Sequence, residues 1–259
     1  MGSWPESLVV EFAERRAALF LGAGVSRAAS SEFGKTVKGW SELLKSMAAS
    51  MPGSNSEKDL VKKLINRGTL LDAAQVIRDK LTAGDFATQI RNNFRISLDH
   101  DASIYKSIVK IDPLIVFTTN YDQLLETSLN RLNSDAGAFN VCLYNQGYLL
   151  DDIRSPTRSV IKVHGSVTDP GNVILSRGGY YAARRDNASF FRVCEAAMML
   201  NTILFVGYSF SDPDIQLILE NNSISSPTRH THFALVERLP HASIKKCAHK
   251  RIQYQLYRA

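Results

Sequence analysis

Three short apolar runs, each ended by glycine or a polar residue, constrain the fold of this chain more than any other feature. Runs that are apolar at every position are typical of strands buried on both faces, as in a parallel sheet. Two further candidate strands each follow a turn with the letters Ser-Pro-Thr-Arg. The predicted strands are Ala17–Leu21, Leu114–Phe117, Ser159–Val163, Ile203–Val206 and His232–Val236.

Helical periodicity fills the segments between the predicted strands. Between the first two strands, the predicted helices are Trp40–Ala49, Glu57–Asn66, Leu71–Leu81 and Phe86–Phe94. Two more helices follow strands directly, Tyr121–Leu132 and Asp212–Glu220, the latter with Pro213 in its first turn. The alternation predicts an α/β fold, a Rossmann-like parallel sheet flanked by helices. We expect a single domain of residues 1–259 with an all-helical insertion at about 37–112.

Composition excludes several classes of protein. The chain has 259 residues, of which 44% are hydrophobic and 22% charged, as in an ordinary globular protein. Its three cysteines, Cys142, Cys194 and Cys247, are too far apart for a zinc ribbon or a disulfide framework, so we expect no zinc module. The N-terminus lacks a secretory pattern, and no apolar run approaches the ~20 residues that span a bilayer. We therefore expect a cytoplasmic protein without a membrane segment.

The charge distribution and two short motifs bear on other possible functions. The net charge of +6 is spread over short basic pairs, so nucleic acid is not indicated. The basic stretch Lys245–Arg251 is interpreted as a solvated helix face, with a polyanion patch as the alternative. Ser30–Thr36 imitates the end of a P-loop but lacks the first glycine. His230 and His232 share one face of a strand without an acidic partner nearby, so no metal site is predicted.

Polar segments follow four of the predicted strands, at the strand ends where ligands of parallel sheets bind. Gly22–Ser26 is either a phosphate cradle at a helix N-terminus or a tight turn with no ligand. Thr118–Asp122 is either a ligand-binding segment or a helix cap in which Asn120 or Asp122 accepts backbone N–H bonds. His164 precedes a glycine and is either a base near neutral pH or a structural histidine.

The fourth segment is a second glycine turn, Gly207–Ile215, which follows the strand at Ile203–Val206. Either Ser211 or Asp212 is the expected N-cap of the following helix, and Asp214 lies in its first turn. Such a turn suits the hydroxyl groups of a ribose, or it is simply a well-capped helix start.

Together the four segments resemble the sirtuin superfamily, and specifically its bacterial sirtuin-like branch. The family's Gly-Ala-Gly-x-Ser corresponds to Gly22–Ser26, its Thr-x-Asn-x-Asp to Thr118–Asp122 and its His-Gly to His164-Gly165. The branch's Gly-Tyr-Ser-x-x-Asp-x-Asp-Ile corresponds to Gly207–Ile215. The resemblance extends from Leu19 to Ile215.

The resemblance implies that the sheet binds NAD and that the nicotinamide–ribose bond reacts. It implies that Asn120 and His164 are the catalytic pair and that Asp122 lies near the nicotinamide. The glycine loop would take the diphosphate, and the turn at Gly207 the adenosine half. The implied NAD-binding residues are Gly22, Ala23, Gly24, Ser26, Thr119, Asp122, Gly207, Tyr208 and Ser209.

Two departures from the family decide which activity the resemblance implies. The four-cysteine zinc module of protein-deacylating sirtuins is absent, and so is the Gly-Ile-Pro-x-Phe-Arg stretch; Lys38–Leu43 is the remnant of the branch's Pro-x-Trp-x-x-Leu. With no acceptor groove, water is the expected nucleophile and the products are ADP-ribose and nicotinamide. In this branch such enzymes commonly serve antiphage defence by depleting NAD.

Two other functions stay open from the sequence. One is an NAD-dependent protein deacylase or ADP-ribosyltransferase, and the other is a non-catalytic sensor of NAD or ADP-ribose. A free NAD hydrolase would harm its own cell, so we expect autoinhibition, with activation in a homo-oligomer or in a larger defence complex that has a separate sensor subunit.

Overall fold

The computed structural model describes residues 4–98, 102–132, 139–210, 212–225, 231–236 and 252–256. In these ranges seven strands form one sheet in the order β3-β4-β2-β1-β5-β6-β7, and every neighbouring pair is parallel. The strands are β1 Ala17–Leu21, β2 Ile115–Thr118, β3 Phe139–Leu143, β4 Arg158–Lys162, β5 Thr202–Val206, β6 His232–Val236 and β7 Ile252–Leu256. The predicted parallel α/β sheet is confirmed.

Twelve α-helices accompany the sheet in the described ranges. They are α1 Glu6–Ala13, α2 Ala23–Ser31, α3 Trp40–Ser50, α4 Asn55–Asn66, α5 Leu70–Lys80, α6 Ala83–Phe94, α7 Ser103–Ile111, α8 Leu124–Leu132, α9 Leu149–Arg154, α10 Arg177–Asp186, α11 Ala188–Leu200 and α12 Pro213–Ser225. None of them is long and apolar enough to cross a membrane.

The five predicted strands are confirmed to within one residue at each end, whereas β3 and β7 were missed. Both missed strands lie at the edges of the sheet. In β3 the side chain of Val141 is 40% exposed, and the sequence of β7, Ile-Gln-Tyr-Gln-Leu, alternates apolar and polar residues. An edge strand needs no continuous apolar run, so the pattern that predicts the buried strands is absent from both of them.

The helical insertion covers one face of the sheet. Side chains from its helices, including Met47, Ile77 and Ile90, share an apolar core with Leu19 and Leu21 of β1. The intervening strand residues point to the opposite face, where Ala18 and Phe20 belong to a second core that includes α11. Because successive residues of a strand face opposite sides, both faces of β1 are buried, and its run is apolar throughout.

The order of the strands brings four strand ends to one edge of the sheet. In the central strand β1, Leu21 is in register with Thr118 of β2 on one side and with Val206 of β5 on the other. Lys162 of β4 is in turn in register with Thr118. The chain leaves β1 to one side and returns on the other, so the strand order reverses at β1, and the ends of the strands at such a reversal are where ligands of parallel sheets bind.

Candidate active site

A cavity of about 500 Å³ lies at this edge of the sheet. All four segments singled out in the sequence contribute to its wall. The predicted residues that line it are Ala23, Gly24, Thr119, Asn120, Asp122, His164, Gly207, Tyr208 and Ser209. The other two predicted residues, Gly22 and Ser26, are buried behind this wall. The segments meet because they follow neighbouring parallel strands.

The two glycine turns pack directly against each other. The N–H of Gly22 donates to the carbonyl oxygen of Val206 at 3.0 Å, and the N–H of Gly24 donates to that of Gly207 at 2.9 Å. A Cβ on Gly22 would lie 2.4 Å from the Gly207 oxygen, which no side chain can tolerate. The glycines are therefore required by contact between two backbones. A diphosphate in the cavity would not be bound by the N–H groups of Gly22 and Gly24, which are already donated.

Gly207→Ala should destabilise the fold by more than about 3 kcal/mol, since two penalties add. Gly207 has a φ of +61°, and a Cβ there would lie 2.5 Å from the backbone nitrogen of Val25. Gly34 is the matched control: its φ is +66°, but an added Cβ meets no atom within 4 Å. Gly34→Ala should cost only about 1–2 kcal/mol. Urea denaturation measures both, and equal losses would contradict the turn-to-turn contact.

Asn120 is held by three hydrogen bonds at the mouth of β2. Its Nδ2 donates to the carbonyl oxygen of Gly22 and to the Oγ of Ser26, both at 3.0 Å. Its backbone N–H donates to the Oγ1 of Thr118 at 3.0 Å. Because an amide nitrogen has two hydrogens, both are used, and Oδ1 is the remaining hydrogen-bonding atom of this side chain. The Asn120 amide is thus held in place by the hydrogen bonds that it donates. It is not a helix cap that accepts backbone N–H bonds, which was one of the alternatives from the sequence.

Ser26 connects Asn120 to the helical insertion. Ser26 and Tyr105 of α7 line a narrow gap behind Asn120, where the Ser26 hydroxyl lies beside the Tyr105 phenol. Burial raises the pKa of the Tyr105 phenol, and the nearby Asp122 carboxylate raises it further. Ser26 therefore supports the amide from behind, which explains why it does not line the cavity although the family motif includes it.

Asp122 is the residue of this segment that stabilises a helix start. Its Oδ1 accepts the backbone N–H of Leu124 at 3.1 Å, and α8 begins at Leu124 instead of the predicted Tyr121. The backbone carbonyl oxygen of Asp122 accepts a hydrogen bond from the Nζ of Lys162 at 2.5 Å. That ammonium also pairs with Glu126 at 2.6 Å, and the Lys162 side chain is only 1% exposed. A buried ion pair thus underlies the segment that carries Asn120 and Asp122.

His164 follows β4 and is only 3% exposed. Its Nε2 lies 3.3 Å from the Oδ2 of Asp212. That contact falls outside hydrogen-bond geometry, and among the described residues this buried nitrogen has no hydrogen-bond partner. The ring of Tyr180 packs edge-on against the imidazole, with centroids 5.2 Å apart. The imidazole is therefore buried against a carboxylate and an aromatic ring, beside the cavity that it lines.

Several cavity residues were not predicted as site residues. The segment from Val37 to Trp40 lines the cavity, so the Lys38–Leu43 remnant of the family motif contributes to the site. The similarity of Lys38–Leu43 to that family motif was the feature of the sequence that could have indicated this part of the cavity. Arg27, where the usual dinucleotide fingerprint has its third glycine, lines the cavity as well and pairs with Glu42. Tyr121 and Asp212 lie within two of the family motifs, whereas no local pattern marks the remaining ones, which are Phe94, Tyr180 and Leu235.

Asp212 is confirmed at the start of α12, where its Oδ1 accepts the Ile215 N–H at 3.4 Å. The other candidate cap, Ser211, lies outside the described residues, as does the side chain of Asp214. His230, Cys247 and Lys245–Arg251 lie outside them too. Nδ1 of His232 accepts the N–H of Ile203 at 3.1 Å, a structural role.

The described ranges contain no cluster of three or more His, Cys, Asp or Glu side chains that could hold a metal ion. Cys142 and Cys194 are buried, and burial raises the pKa of both thiols, that of Cys142 to about 12.

In the P-loop-like segment Ser30–Thr36, Nζ of Lys35 donates a hydrogen bond to the backbone carbonyl oxygen of Ser97 at 2.5 Å.

Comparison with known proteins agrees with the resemblance seen in the motifs. A protein named NAD(+) hydrolase ThsA from Cytobacillus dafuensis is 28% identical over 229 residues, which are 85% of this chain and 41% of that protein. Proteins of the same name from Bacillus cereus (strain MSX-D12) and Acinetobacter baumannii (strain 532279) are 26% and 23% identical and cover 88% and 92% of this chain. The chain spans 44% and 45% of their lengths, less than half.

A family model gives the second comparison. The model of the SIR2-like domain matches residues 114–255, more than half of the chain. The matched range begins at β2 and includes Asn120, His164 and the turn at Gly207. The chain therefore belongs to the family of SIR2-like domains.

Proposed function

We propose that this protein hydrolyses NAD at the nicotinamide–ribose bond and releases nicotinamide and ADP-ribose. The observation that carries the proposal is the convergence of Asn120 and His164, 44 residues apart in the chain, on one cavity of about 500 Å³. A cavity of this size is in the range of small-molecule and cofactor sites. The names of the relatives, NAD(+) hydrolase, support the same substrate and reaction.

The residue types suit the chemistry of this bond. The nitrogen of the pyridinium takes the electron pair of the breaking bond and leaves as neutral nicotinamide, so no strong general acid is needed. What requires stabilisation is the oxocarbenium-like sugar, together with a water placed to attack its anomeric carbon. The attacking water forms the new C–O bond and gives up one proton.

Asn120 and His164 divide this work in the proposed mechanism. Oδ1 of Asn120, held in place because Nδ2 is bonded to Gly22 and Ser26, accepts hydrogen bonds from ribose hydroxyls or from the attacking water. His164 accepts the proton that the water loses. The burial of His164 keeps bulk water from competing for its imidazole.

The lining of the cavity supports a placement for the two halves of NAD. We assign the nicotinamide end to the region of Asp122 and the segment Val37–Trp40, and the adenosine half to the turn at Gly207–Ser209. The exposed backbone of Ala23 and Gly24 borders the space between them. The cations on this wall that can balance the charge of a diphosphate are Arg27 and Lys38.

The reaction is tested by incubating the pure chain with NAD in ¹⁸O-water and separating the products by chromatography. Equal amounts of nicotinamide and ADP-ribose, with ¹⁸O in the ADP-ribose, support hydrolysis. Nicotinamide release only after an acyl-lysine peptide or a protein acceptor is added would instead establish a deacylase or a transferase. Binding of NAD by calorimetry with no product at any protein concentration would establish the sensor function.

For the cellular setting we propose antiphage defence by NAD depletion in the bacterial cytoplasm. An NAD hydrolase that is always active would consume its own cell's NAD, so we expect activity to depend on a homo-oligomer or on a complex with a separate sensor subunit. Specific activity should then rise with protein concentration, in parallel with the mass measured by light scattering. Full specific activity in a dilute monomer would contradict this expectation.

A further inference from the structure

The strongest unassigned feature of the cavity is the group of buried side chains around His164. Tyr180 comes from α10, and Asp212 comes from the start of α12; both line the cavity and are 7% and 8% exposed. The hydroxyl of Tyr180 donates to the Oδ2 of Asp212 at 3.2 Å. The same Oδ2 lies 3.3 Å from Nε2 of His164. One carboxylate oxygen therefore faces both a phenol and an imidazole.

The two oxygens of Asp212 have separate tasks. Oδ1 accepts the backbone N–H of Ile215 and supports the start of α12. That contact, together with the tyrosine hydroxyl on Oδ2, fixes the direction of the carboxylate. Its Oδ2 is thereby held against the imidazole of His164. The start of α12 thus fixes the position of the Asp212 carboxylate at the cavity.

A carboxylate oxygen beside one ring nitrogen decides which nitrogen of a neutral imidazole carries the hydrogen. Oδ2 accepts and does not donate, so a proton on Nε2 is favoured, and Nδ1 is left with its lone pair. The buried Nε2 has no other hydrogen-bond partner among the described residues. The present contact is not aligned as a hydrogen bond, and such contacts in free enzymes often tighten when substrate binds.

We infer that Asp212 and Tyr180 are positioning residues for His164: the Asp212 carboxylate holds the proton on Nε2 and directs Nδ1 to accept the proton of the attacking water. Tyr180 keeps the carboxylate in place through its hydroxyl and limits rotation of the imidazole through its ring. The inference rests on the proposed hydrolysis for its effect on rate, but the proton position on His164 can be measured without any turnover.

Asp212→Asn is the discriminating variant. An asparagine retains an oxygen for the Ile215 N–H and is itself a good N-cap, so α12 should keep its start. Its NH₂ group then occupies the place of Oδ2 and donates to Nε2, which moves the ring proton to Nδ1. Turnover of NAD should fall by about 10²–10⁴-fold in kcat with KM changed less than about threefold, as for a histidine base in the wrong tautomer. Tyr180→Phe keeps the ring and should lower kcat by about fivefold to tenfold.

The matched control is Asp85→Asn, an aspartate in the first turn of α6 that accepts a hydrogen bond from Thr82 and does not line the cavity. This variant should keep the wild-type kcat. The second readout is the pair of ¹⁵N chemical shifts of His164 in histidine-labelled protein near pH 8, assigned by their loss in His164→Gln. They should show Nε2–H in the wild type and Nδ1–H in Asp212→Asn.

The two measurements separate the two proposals. A tautomer that changes as stated, in a wild-type protein that never hydrolyses NAD, supports the positioning of His164 and contradicts the proposed function. Hydrolysis by the wild type that Asp212→Asn leaves unchanged, or one tautomer in both proteins, overturns the positioning role of Asp212.

Discussion

His164→Ala lowers the rate of nicotinamide release from NAD by about 10²–10⁴-fold, the usual contribution of a general base. The imidazole is the basic group that the structure places in contact with both the cavity and a buried carboxylate. Its loss removes the acceptor for the proton of the attacking water, while the walls that hold the two ends of NAD remain. We therefore expect kcat to fall much more than the affinity for NAD, which calorimetry measures separately.

His232→Ala is the control for this variant. His232 is a partly buried histidine of β6 whose Nδ1 accepts the Ile203 N–H, and it does not line the cavity. Its replacement should lower stability by about 1–3 kcal/mol, since a donor in the sheet loses its acceptor, and should leave kcat near the wild-type value. Nicotinamide release that persists undiminished in His164→Ala would show that His164 is not the base.

Asn120→Ala is the second variant with a large expected effect. Losing a preorganised amide at a reacting centre typically costs about 10²–10³-fold in kcat. The fold should survive, because the groups that lose the Nδ2 hydrogen bonds, the Gly22 oxygen and the Ser26 hydroxyl, have other partners: Gly22 accepts the Val25 N–H, and Ser26 contacts Tyr105. Steady-state kinetics together with thermal denaturation test both expectations.

Asn120→Asp separates the two tasks of this amide. A carboxylate oxygen in place of Nδ2 would lie about 3 Å from the carbonyl oxygen of Gly22, where two acceptors repel. Asn120→Asp should therefore be less stable than Asn120→Ala, although aspartate has almost the shape of asparagine. Asn140→Ala is the control, since its amide donates to Asp152 away from the cavity and it does not line the site. If Asn120→Ala turns over NAD like Asn140→Ala, Asn120 has no catalytic role.

Much of the sheet could be predicted because a strand buried on both faces is apolar at every position, as in Phe20 and its neighbours in β1. The edge strand β3 could not, because one of its faces is partly exposed and its pattern is weak. The start of α8 was placed three residues early, since the periodicity of Tyr121 and Leu125 continues across a turn that only the contact between Asp122 and Leu124 reveals.

The motifs were sufficient to predict nine of the residues that line the cavity, but not what each residue does there. For the glycines of Gly22–Gly24 the sequence leaves open a phosphate cradle or a tight turn without a ligand, and the structure shows that they bring two backbone turns together. The resemblance implies that Ser26 is an NAD-binding residue, and in the structure its hydroxyl accepts a hydrogen bond from Asn120. In both cases the sequence shows the type of residue but not the residue that it contacts, which lies more than 90 positions away in the chain.

The sequence by itself determined the parallel sheet, the helical insertion and the strand ends that carry the polar segments, since each follows from the pattern of nearby side chains. Only the tertiary structure decided that Tyr180 and Asp212 meet at His164, because their positions depend on how α10 and α12 pack against the sheet. That packing is the sum of many weak, non-directional contacts between distant segments, and no local pattern of residues records it.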